Sequence, residues 1–408
     1  MNITRFPSFM LAVLTITACS PKENLKVRNP LGETVKGLVF EIDPATLSRV
    51  PVKEGGLIAL EGNKELPVQV ISTEGTPSAV LVQADFAPNE EKELTLKKGS
   101  PSVFPAKTQA EISVKEGGEW IWVKKKSGKE QYEYVGGEWE NAQSLRVDKR
   151  HTDHSFDIRY EGPGWESDKI GFRFYLDWRN ANDIFGKKVD TLILHQVGLD
   201  GFDSYHKLNP WGTDILMVGE SLGIGSIAHW ADSSAQRIAE TDSLYSEVVY
   251  SGLLESKIST RYYGWKYRGG KTDLTADLSI RAGSWLTKAH LSASEQTDNF
   301  CTGIVKMDST VVLSAPAAKS GWSYLATFGK QSLQNDHMGL FIFFRANDLI
   351  TTAADKYSHV VVLKPEGKEL SYYFGGVWEQ DASRIRTLDG FHSFLKQQQA
   401  LLNATGTD

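Results

Sequence analysis

The stretch SEVVYSGLLESKISTRYYGWKY, residues 246–267, decides the fold class, together with TADLSIRAG at 275–283. Apolar and polar residues alternate along both stretches, and β-branched and aromatic side chains are frequent in them. Such alternation is expected of strands that turn one face to a core and the other to solvent or a cleft. The two stretches therefore predict β-strands.

Shorter stretches of the same kind follow one another along most of the chain. They are rich in β-branched residues and are separated by Gly, Pro, Asn or Glu turns, which is typical of antiparallel β-structure. These predicted strands are 57–60, 66–72, 79–85, 92–97, 110–115, 155–160, 169–176, 302–314, 338–345 and 359–365.

Helical periodicity is scarce and is clearest at the C-terminus. Asp389 is a candidate N-cap there, and the apolar residues that follow fall on one side of a helix, namely Phe391, Phe394, Leu395 and Leu401. We therefore predict an all-β protein with few helices, one of them C-terminal.

The N-terminus resembles a secretory signal. Arg5 precedes an apolar run from Phe9 to Ile16, and Ile16-Thr17-Ala18-Cys19 resembles the bacterial lipobox, in which the cysteine is lipidated and becomes the mature N-terminus. We predict a signal peptide over 1–18, a lipid anchor on Cys19 and a polar tether over 19–29. A plain signal peptide is the alternative. The lipid would place the protein at the outer membrane, on its periplasmic face or at the cell surface.

The composition excludes some classes of binding partner and one source of stability. The net charge of −6 argues against nucleic acid, because phosphate binding needs a basic surface. Cys301 is the one cysteine besides Cys19, so a lipidated chain has no intramolecular disulfide, and its stability must come from its core. Residues 30–150 are predicted as an N-terminal β region of the same sandwich, with a separate module as the alternative. Residues 151–408 are predicted as the main catalytic region.

Highly specific catalytic motifs do not occur. The sequence has no phosphate-binding loop, zinc helix or serine nucleophile elbow. Polar and aromatic residues instead gather in three clusters. YHKLNPW (205–211) is the densest, GPGWESDKIGFRFYLDWR (162–179) carries Lys169 and Arg173 on one strand face, and QNDHMGLFIFFR (334–345) places His337 at a strand entrance.

Each cluster also has a plain structural interpretation. A histidine in a tyrosine-rich loop is often only a hydrogen-bonding surface residue, and Lys169 and Arg173 are typical of a solvated strand face. Trp211 lies beside Pro210 in a loop, where an exposed ring offers a platform for a sugar face.

Five segments in series resemble a family of secreted bacterial lipoproteins from polysaccharide-utilisation loci, which includes the ulvan oligosaccharide dehydratase. They are ESDKIGFRFY, YHKLNPWGTDILMVG, LGIGSIAHW, NDHMGLFIFF and YYFGGVWEQD. The resemblance covers nearly all of the mature chain. One departure concerns the second histidine and the Gly-rich turn that follow Tyr-His-Lys in the family, since Leu208-Asn209-Pro210-Trp211 stand there in this chain.

The resemblance implies a hydro-lyase. Such an enzyme removes the C4 hydroxyl and the C5 proton from the non-reducing terminal uronate of an anionic oligosaccharide and leaves a 4,5-unsaturated sugar. The reaction needs a cation to neutralise the carboxylate, a base for C5 and an acid for the leaving hydroxyl. We expect Arg173 and Lys169 to bind the carboxylate and Trp211 to bind the sugar. Tyr205, His206 and His337 would divide the acid and base roles.

The same resemblance implies a large antiparallel β-sandwich like the galactose-mutarotase supersandwich. It implies no cofactor, although a divalent metal on His206, Asp214 and His337 is an unsupported variant. The expected partners are the oligosaccharide and, downstream, unsaturated-uronyl hydrolases. Three alternatives stay open, namely a polysaccharide lyase, a sugar epimerase and a glycan-binding lipoprotein without activity.

Overall fold

The computed structural model describes residues 22–47, 49–50, 52–125, 127–315 and 320–405. Its first seven strands form two antiparallel sheets that enclose a core of their own, with Leu57, Val80, Val82, Leu94 and Leu96 at the centre. The strands are β1 (Lys22–Arg28), β2 (Val35–Ile42), β3 (Leu57–Glu61), β4 (Lys64–Leu66), β5 (Val68–Thr73), β6 (Thr76–Phe86) and β7 (Glu91–Lys98).

The two sheets of this N-terminal module have the strand orders β1-β7-β3-β4 and β2-β6-β5. Val39 and Leu81 of the module pack against Leu254 and Ala282 of the following region. The Gln69 side chain accepts hydrogen bonds from the backbone N–H groups of residues 254 and 255. The module is therefore attached to the rest of the protein by both apolar packing and hydrogen bonds.

A connecting region follows, and its short strands belong to several different sheets. They are β8 (Thr108–Glu111), β9 (Ser113–Glu116), β10 (Glu119–Lys124), β11 (Glu130–Val135), β12 (Glu138–Asn141) and β13 (Ser144–Arg146). The pairs β10-β11 and β9-β12 form two small antiparallel sheets. The outer strands β8 and β13 join the larger sheets of the main sandwich. The part of 30–150 before residue 99 thus has its own core, whereas two later strands belong to the main sandwich.

The main sandwich contains the remaining strands. They are β14 (Gly164–Ser167), β15 (Ile170–Phe174), β16 (Asn182–Lys187), β17 (Gly212–Asp214), β18 (Ala228–Ala231), β19 (Ser234–Arg237), β20 (Ser243–Ser251), β21 (Glu255–Tyr267), β22 (Gly270–Arg281), β23 (Leu286–Ala293), β24 (Phe300–Val305), β25 (Thr310–Ser314), β26 (Trp322–Lys330), β27 (His337–Arg345), β28 (Leu349–Ala354), β29 (Ser358–Leu363) and β30 (Glu369–Trp378). Short 3₁₀ helices lie at Pro44–Thr46, Arg159–Glu161, Leu194–Gln196 and Ala346–Asp348.

One nine-stranded sheet faces two five-stranded sheets. The large sheet has the order β13-β20-β21-β22-β23-β30-β27-β26-β25, and the smaller sheets have the orders β17-β16-β15-β14-β8 and β19-β18-β24-β29-β28. Alternate residues of the large sheet, such as Leu278 and Phe374, share a core with Phe172 and Ile304 of the smaller sheets. The prediction of a large antiparallel β-sandwich is confirmed.

The C-terminal helix α1 (Leu388–Thr405) covers the opposite face of the large sheet. Phe391, Phe394 and Leu395 are buried in this contact, as predicted. The helix begins two residues earlier than an N-cap at Asp389 would place it, and the Thr387 hydroxyl, rather than Asp389, accepts the hydrogen bond from the N–H of Gly390. No helix in the described part of the chain is long and apolar enough to cross a membrane.

The strand predicted over 302–314 is two strands, β24 and β25, which belong to different sheets, and the strand predicted over 155–160 is wrong. Residues 155–160 form a loop ending in a 3₁₀ turn, because Phe156 and Tyr160 adopt positive φ angles of 62° and 39°. Positive φ is incompatible with an extended strand and is uncommon for residues other than glycine. The alternating pattern of this segment therefore has another cause, namely that its aromatic residues pack into a loop over the smaller sheet.

Candidate functional site

A buried arginine organises the outer face of the five-stranded sheet that contains β15. Arg173 on β15 lies opposite Asp183 on β16, and its guanidinium donates to that carboxylate at 2.7 and 3.0 Å. It also donates to Asp214 at 2.6 Å and to the Tyr205 hydroxyl at 2.8 Å. The Arg173 side chain is only 3% exposed, so these contacts take place away from solvent. The expectation of a solvated strand face is wrong, because loops cover this face of the sheet.

Tyr205 and His206 come from the loop between β16 and β17 and enter the same cluster. The Tyr205 ring is buried against Phe185, and burial raises the pKa of its hydroxyl, which therefore stays protonated. The His206 side chain is 45% exposed, and its Nε2 lies 3.3 Å from Asp214 Oδ2. Asp214 thus connects the exposed imidazole to the buried guanidinium.

The loop between β13 and β14 carries a concentration of backbone strain beside this cluster. Positive φ angles occur at His154, Phe156, Tyr160 and Glu161. Side chains hold the loop in this shape, because Ser155 donates to Asp157 at 2.6 Å and Gln131 donates to the carbonyl of Asp153 at 2.6 Å. A strained backbone persists where many surrounding contacts hold it in place, and such segments are often found at functional sites.

The side chain of His154 in this loop is exposed to solvent. It is 48% exposed, and its Nδ1 lies 2.7 Å from Asp153 Oδ1. The carboxylate of Asp153 stabilises the protonated imidazole and raises the pKa of His154. The same hydrogen bond, with the charge of Arg179, holds the pKa of Asp153 below its usual range.

A chain of charged groups joins the two histidines. The Arg179 guanidinium lies 3.1 Å from Asp153 and 2.9 Å from Glu161. Glu161 in turn lies 3.9 Å from Arg173, which contacts Asp214 and through it His206. Aromatic rings run parallel to this chain, with centroids of successive rings 4.6, 6.1 and 4.7 Å apart from His154 through Phe202 and Tyr205 to His206.

This arrangement suits proton transfer at two points on one bound molecule. In each histidine a carboxylate holds one ring nitrogen, and the other ring nitrogen has no hydrogen-bond partner within the described ranges. An imidazole oriented by a carboxylate is the usual form of a general acid or base at neutral pH. We name the group formed by Asp153, His154, Glu161, Arg173, Arg179, Tyr205, His206 and Asp214 the two-histidine cluster.

A lysine at the rim of the cluster is available to an anion. Lys115 lies over the rings of Phe156 and Trp139, at 5.9 and 5.1 Å, and has no acidic partner within 4 Å in the part of the chain that the structure describes. Phe156 packs against both His154 and Phe202. One aromatic ring therefore separates this lysine from His154.

Other predicted site residues lie outside the cluster. Lys169 pairs with Asp168 and Asp190, both at 3.3 Å, and lies four residues from Arg173 along an extended chain, about 13 Å away. Trp211 packs edge-on against Phe185, which also contacts Tyr205. Trp211 therefore flanks the cluster, whereas Lys169 is distant from it.

His337 is held in a different environment. Its Nδ1 lies 2.7 Å from Glu379, its ring stacks on Phe328 at 5.6 Å, and these contacts belong to the large sheet. Cys19, the predicted lipid anchor, lies outside the described residues.

The predicted cluster lacked four members that the structure supplies, namely Asp153, His154, Glu161 and Arg179. A signal for them existed in HTDHSFDIRYEG (151–162), where two histidines and several acidic residues stand close together. This segment is not predicted as a site because the alternation of residues 155–160 predicts a β-strand. Glu161 could not be found from spacing, because positive φ angles turn its segment away from an extended course. Arg179 lies outside this segment, after β15, and contacts Glu161 only in the tertiary structure.

Three side chains of the cluster are near enough to share a cation. Ligand atoms of Asp153, His154 and Glu161 all lie within 4.8 Å of one another. Arg179 contacts both carboxylates, at 3.1 and 2.9 Å, and already supplies the positive charge that a metal would bring. These residues therefore fit an ion-paired histidine better than a metal site.

Comparison with known proteins identifies the family. A family model described as a domain of unknown function, DUF4861, matches residues 27–405. The chain belongs to the DUF4861 family. The match spans the N-terminal module as well as the sandwich, so this DUF4861 protein carries the two-histidine cluster within the family region.

One solved structure is similar to this chain over most of its length. An alpha-mannosidase from Enterococcus faecalis V583 is similar over 93% of this chain and 45% of that chain, with 8% sequence identity and a TM-score of 0.46. The chain thus spans less than half the length of that structure. No curated protein matches the sequence.

Proposed function

We propose that this protein is a dehydratase that removes water from the non-reducing terminal uronic acid of ulvan-type anionic oligosaccharides. The sequence resemblance to the lipoprotein family that includes the ulvan oligosaccharide dehydratase suggests the reaction. The observation that carries the proposal is the pair of half-exposed imidazoles, each oriented by its own carboxylate, at the two ends of one charged chain.

The two imidazoles take different roles. His206, oriented by Asp214, is the base that removes the C5 proton. His154 is the acid that protonates the departing C4 hydroxyl, because Asp153 raises its pKa and keeps it protonated at higher pH. The C5–H electrons form the C4=C5 double bond, the C4–O bond breaks, and the hydroxyl leaves as water.

Arg173 and Tyr205 are positioning residues in this scheme. Asp183, Asp214 and Tyr205 already surround the Arg173 guanidinium, so we move the carboxylate-binding role from Arg173 to Lys115. A cation at this place stabilises the charge that develops when the C5 proton is removed. Tyr205, whose side chain is buried, supports the ring of His206 at a centroid distance of 4.7 Å.

The proposal includes a location and a place in a reaction sequence. Lipidation of Cys19 would hold the enzyme at the outer membrane, on the periplasmic face or at the surface. Its unsaturated product is the type of substrate that an unsaturated-uronyl hydrolase consumes. A polysaccharide lyase, an epimerase or a glycan-binding lipoprotein would use parts of the same surface, and the experiment below separates them.

The test is incubation of the protein with uronate-terminated oligosaccharides. Ultraviolet absorbance reports the conjugated double bond, and mass spectrometry reports the loss of one water without chain cleavage. We expect His154→Ala and His206→Ala each to lower kcat by about 10²-fold or more while oligosaccharide affinity is kept. His392→Ala, on helix α1, is the matched control.

Other outcomes would assign other functions. Chain cleavage with an unsaturated end would indicate a lyase, and a changed sugar configuration without mass loss would indicate an epimerase. Binding without any chemical change would indicate a glycan-binding protein. Each of these results would disprove the dehydratase.

A further inference from the structure

A small cationic cleft lies beside the two-histidine cluster. It has a volume of about 340 Å³, and β19 and the end of β21 line it. Three cations contribute to its lining, namely Arg237, Lys266 and Arg268, against one acidic residue, Glu240. In a protein with a net charge of −6, such a local excess of positive charge marks this cleft as a candidate for an anionic ligand.

Two of the three cations already have acidic partners. Lys266 lies 3.5 Å from Glu240, and Arg268 contacts Asp232. Arg237 differs, because no carboxylate lies within 4 Å of its guanidinium in the described ranges. Its one hydrogen bond goes to the carbonyl of Arg179 at 3.4 Å. Most of its five N–H donors therefore remain available to a ligand.

The environment of Arg237 is suited to a sugar with a negative charge. Its guanidinium carbon lies over the ring of Trp178 at 5.4 Å from the centroid, and Trp178 is 50% exposed. Burial lowers the pKa of Arg237 from its usual value, but an arginine remains charged at neutral pH. The contact with Trp178 uses none of the guanidinium N–H donors, and carboxylates and sulfates accept hydrogen bonds from such donors.

The cleft is connected to the reaction centre by one residue. Arg179, whose carbonyl accepts from Arg237, is also the residue that contacts Asp153 and Glu161 beside His154. A ligand that reaches both places must extend beyond a single ring. We infer that Arg237 and Trp178 form a subsite for an anionic group, a sulfate or a carboxylate, on the sugar next to the one held by the two histidines.

This inference rests on the proposed function for the identity of the neighbouring sugar. Its test is a calorimetric measurement of binding, made on the full chain carrying His206→Ala so that turnover is slow during the measurement. Three oligosaccharides of equal length, each with a terminal uronate, differ in their second sugar, which is neutral, sulfated or a uronate. We expect at least one charged second sugar to bind about tenfold more tightly than the neutral one.

Adding Arg237→Gln should remove this preference and leave affinity for the neutral oligosaccharide unchanged. Arg386→Gln, at an exposed arginine near helix α1, is the matched control and should change none of the affinities. Trp178→Ala, at a half-exposed ring, should weaken binding of all three and provides a second readout if Arg237→Gln does not fold. The tighter of the two charged ligands identifies the group as sulfate or carboxylate.

The inference is overturned if neither charged second sugar binds more tightly than the neutral one, or if Arg237→Gln weakens binding of all three equally. Its failure is separate from failure of the proposed reaction. A selective loss of affinity in Arg237→Gln, combined with no water loss by the parent protein, would keep the subsite and reject the dehydratase.

Discussion

At the scale of single residues, the chemistry depends on which form each imidazole takes at neutral pH. His154 and His206 are about equally exposed. Asp153 lies beside the ring of His154, with Glu161 farther away at 3.9 Å, and Asp214 lies beside the ring of His206. They differ in distance, since Asp153 lies 2.7 Å from His154, whereas Asp214 lies 3.3 Å from His206 and also neutralises Arg173. The close carboxylate of Asp153 stabilises the imidazolium of His154 and raises the pKa of that side chain, which is why we assign the acid to His154.

The role of Asp153 predicts a change in pH dependence. Asp153 raises the pKa of His154, so Asp153→Asn should lower that pKa. An acid works only while protonated, so the fall of kcat on the alkaline side should move to lower pH. At a pH well above the new pKa, kcat of Asp153→Asn should be about 10²-fold below its maximum, as expected when no acid is available.

The measurement is a profile of kcat against pH for the wild type and Asp153→Asn. Asp203→Asn, at an exposed aspartate of a neighbouring loop, is the control and should leave the profile unchanged. An alkaline limb that stays in place in Asp153→Asn, or moves to higher pH, would contradict the assignment of His154 as the acid.

At the scale of elements, one buried ion pair connects the strands to the loop that carries Tyr205 and His206. Lys187 on β16 lies 2.7 Å from Glu166 on β14, and both side chains are fully buried. Glu166 also accepts hydrogen bonds from the N–H groups of Ile193 and Leu194, at 2.7 and 2.8 Å. This carboxylate thus fixes two strands and the beginning of the loop after β16.

Removing one partner of this ion pair should lower the free energy of unfolding more than replacing both partners. Glu166→Ala leaves the ammonium of Lys187 buried without its counter-charge, and we expect a loss of about 3–5 kcal/mol in the free energy of unfolding. The double variant Glu166→Met with Lys187→Met buries no charge and should be less destabilised. Urea unfolding of the single and double variants measures this difference.

An exposed pair provides the comparison. Glu91→Ala removes the partner of Lys26 at the protein surface and should leave the urea midpoint unchanged. A double variant as unstable as Glu166→Ala would mean that the hydrogen bonds to Ile193 and Leu194, and not the charge, account for the loss.

At the scale of the whole molecule, the sandwich serves as a rigid support for loops. The two smaller sheets pack on one face of the large sheet, and the outer face of the sheet containing β15 is left for the loops that follow β13 and β16. Catalytic groups on loops above a rigid scaffold are a common arrangement. Helix α1 packs on the other face of the large sheet, and the N-terminal module packs against Leu254 and Ala282 at the ends of β21 and β22.

The predicted anchor concerns the molecule as a whole. Cys19→Ser should release the protein from the membrane fraction, because the thiol that would receive the lipid is removed. Cell fractionation and fatty-acid labelling measure this outcome. Cys301→Ser, which changes the buried thiol, is the control and should keep the protein on the membrane. Membrane association that survives Cys19→Ser would disprove the lipid anchor.

The fold class and part of the cluster could be predicted from the sequence because the relevant signals are local. Alternation along 246–267 and 275–283 reports strands directly, and Tyr205 and His206 are neighbours in the chain. The apolar side of helix α1 was predicted for the same reason, since periodicity within one element does not depend on what packs against it.

Tertiary structure alone decided which histidine accompanies His206. The sequence favoured His337, but β27 places it in the large sheet beside Glu379, whereas His154 reaches the cluster through a loop with positive φ angles. The burial of Arg173 was also decided at this level, because a solvated and a covered sheet face have the same strand pattern. Contacts between loops depend on how whole sheets pack together. A local pattern of residues does not determine that packing.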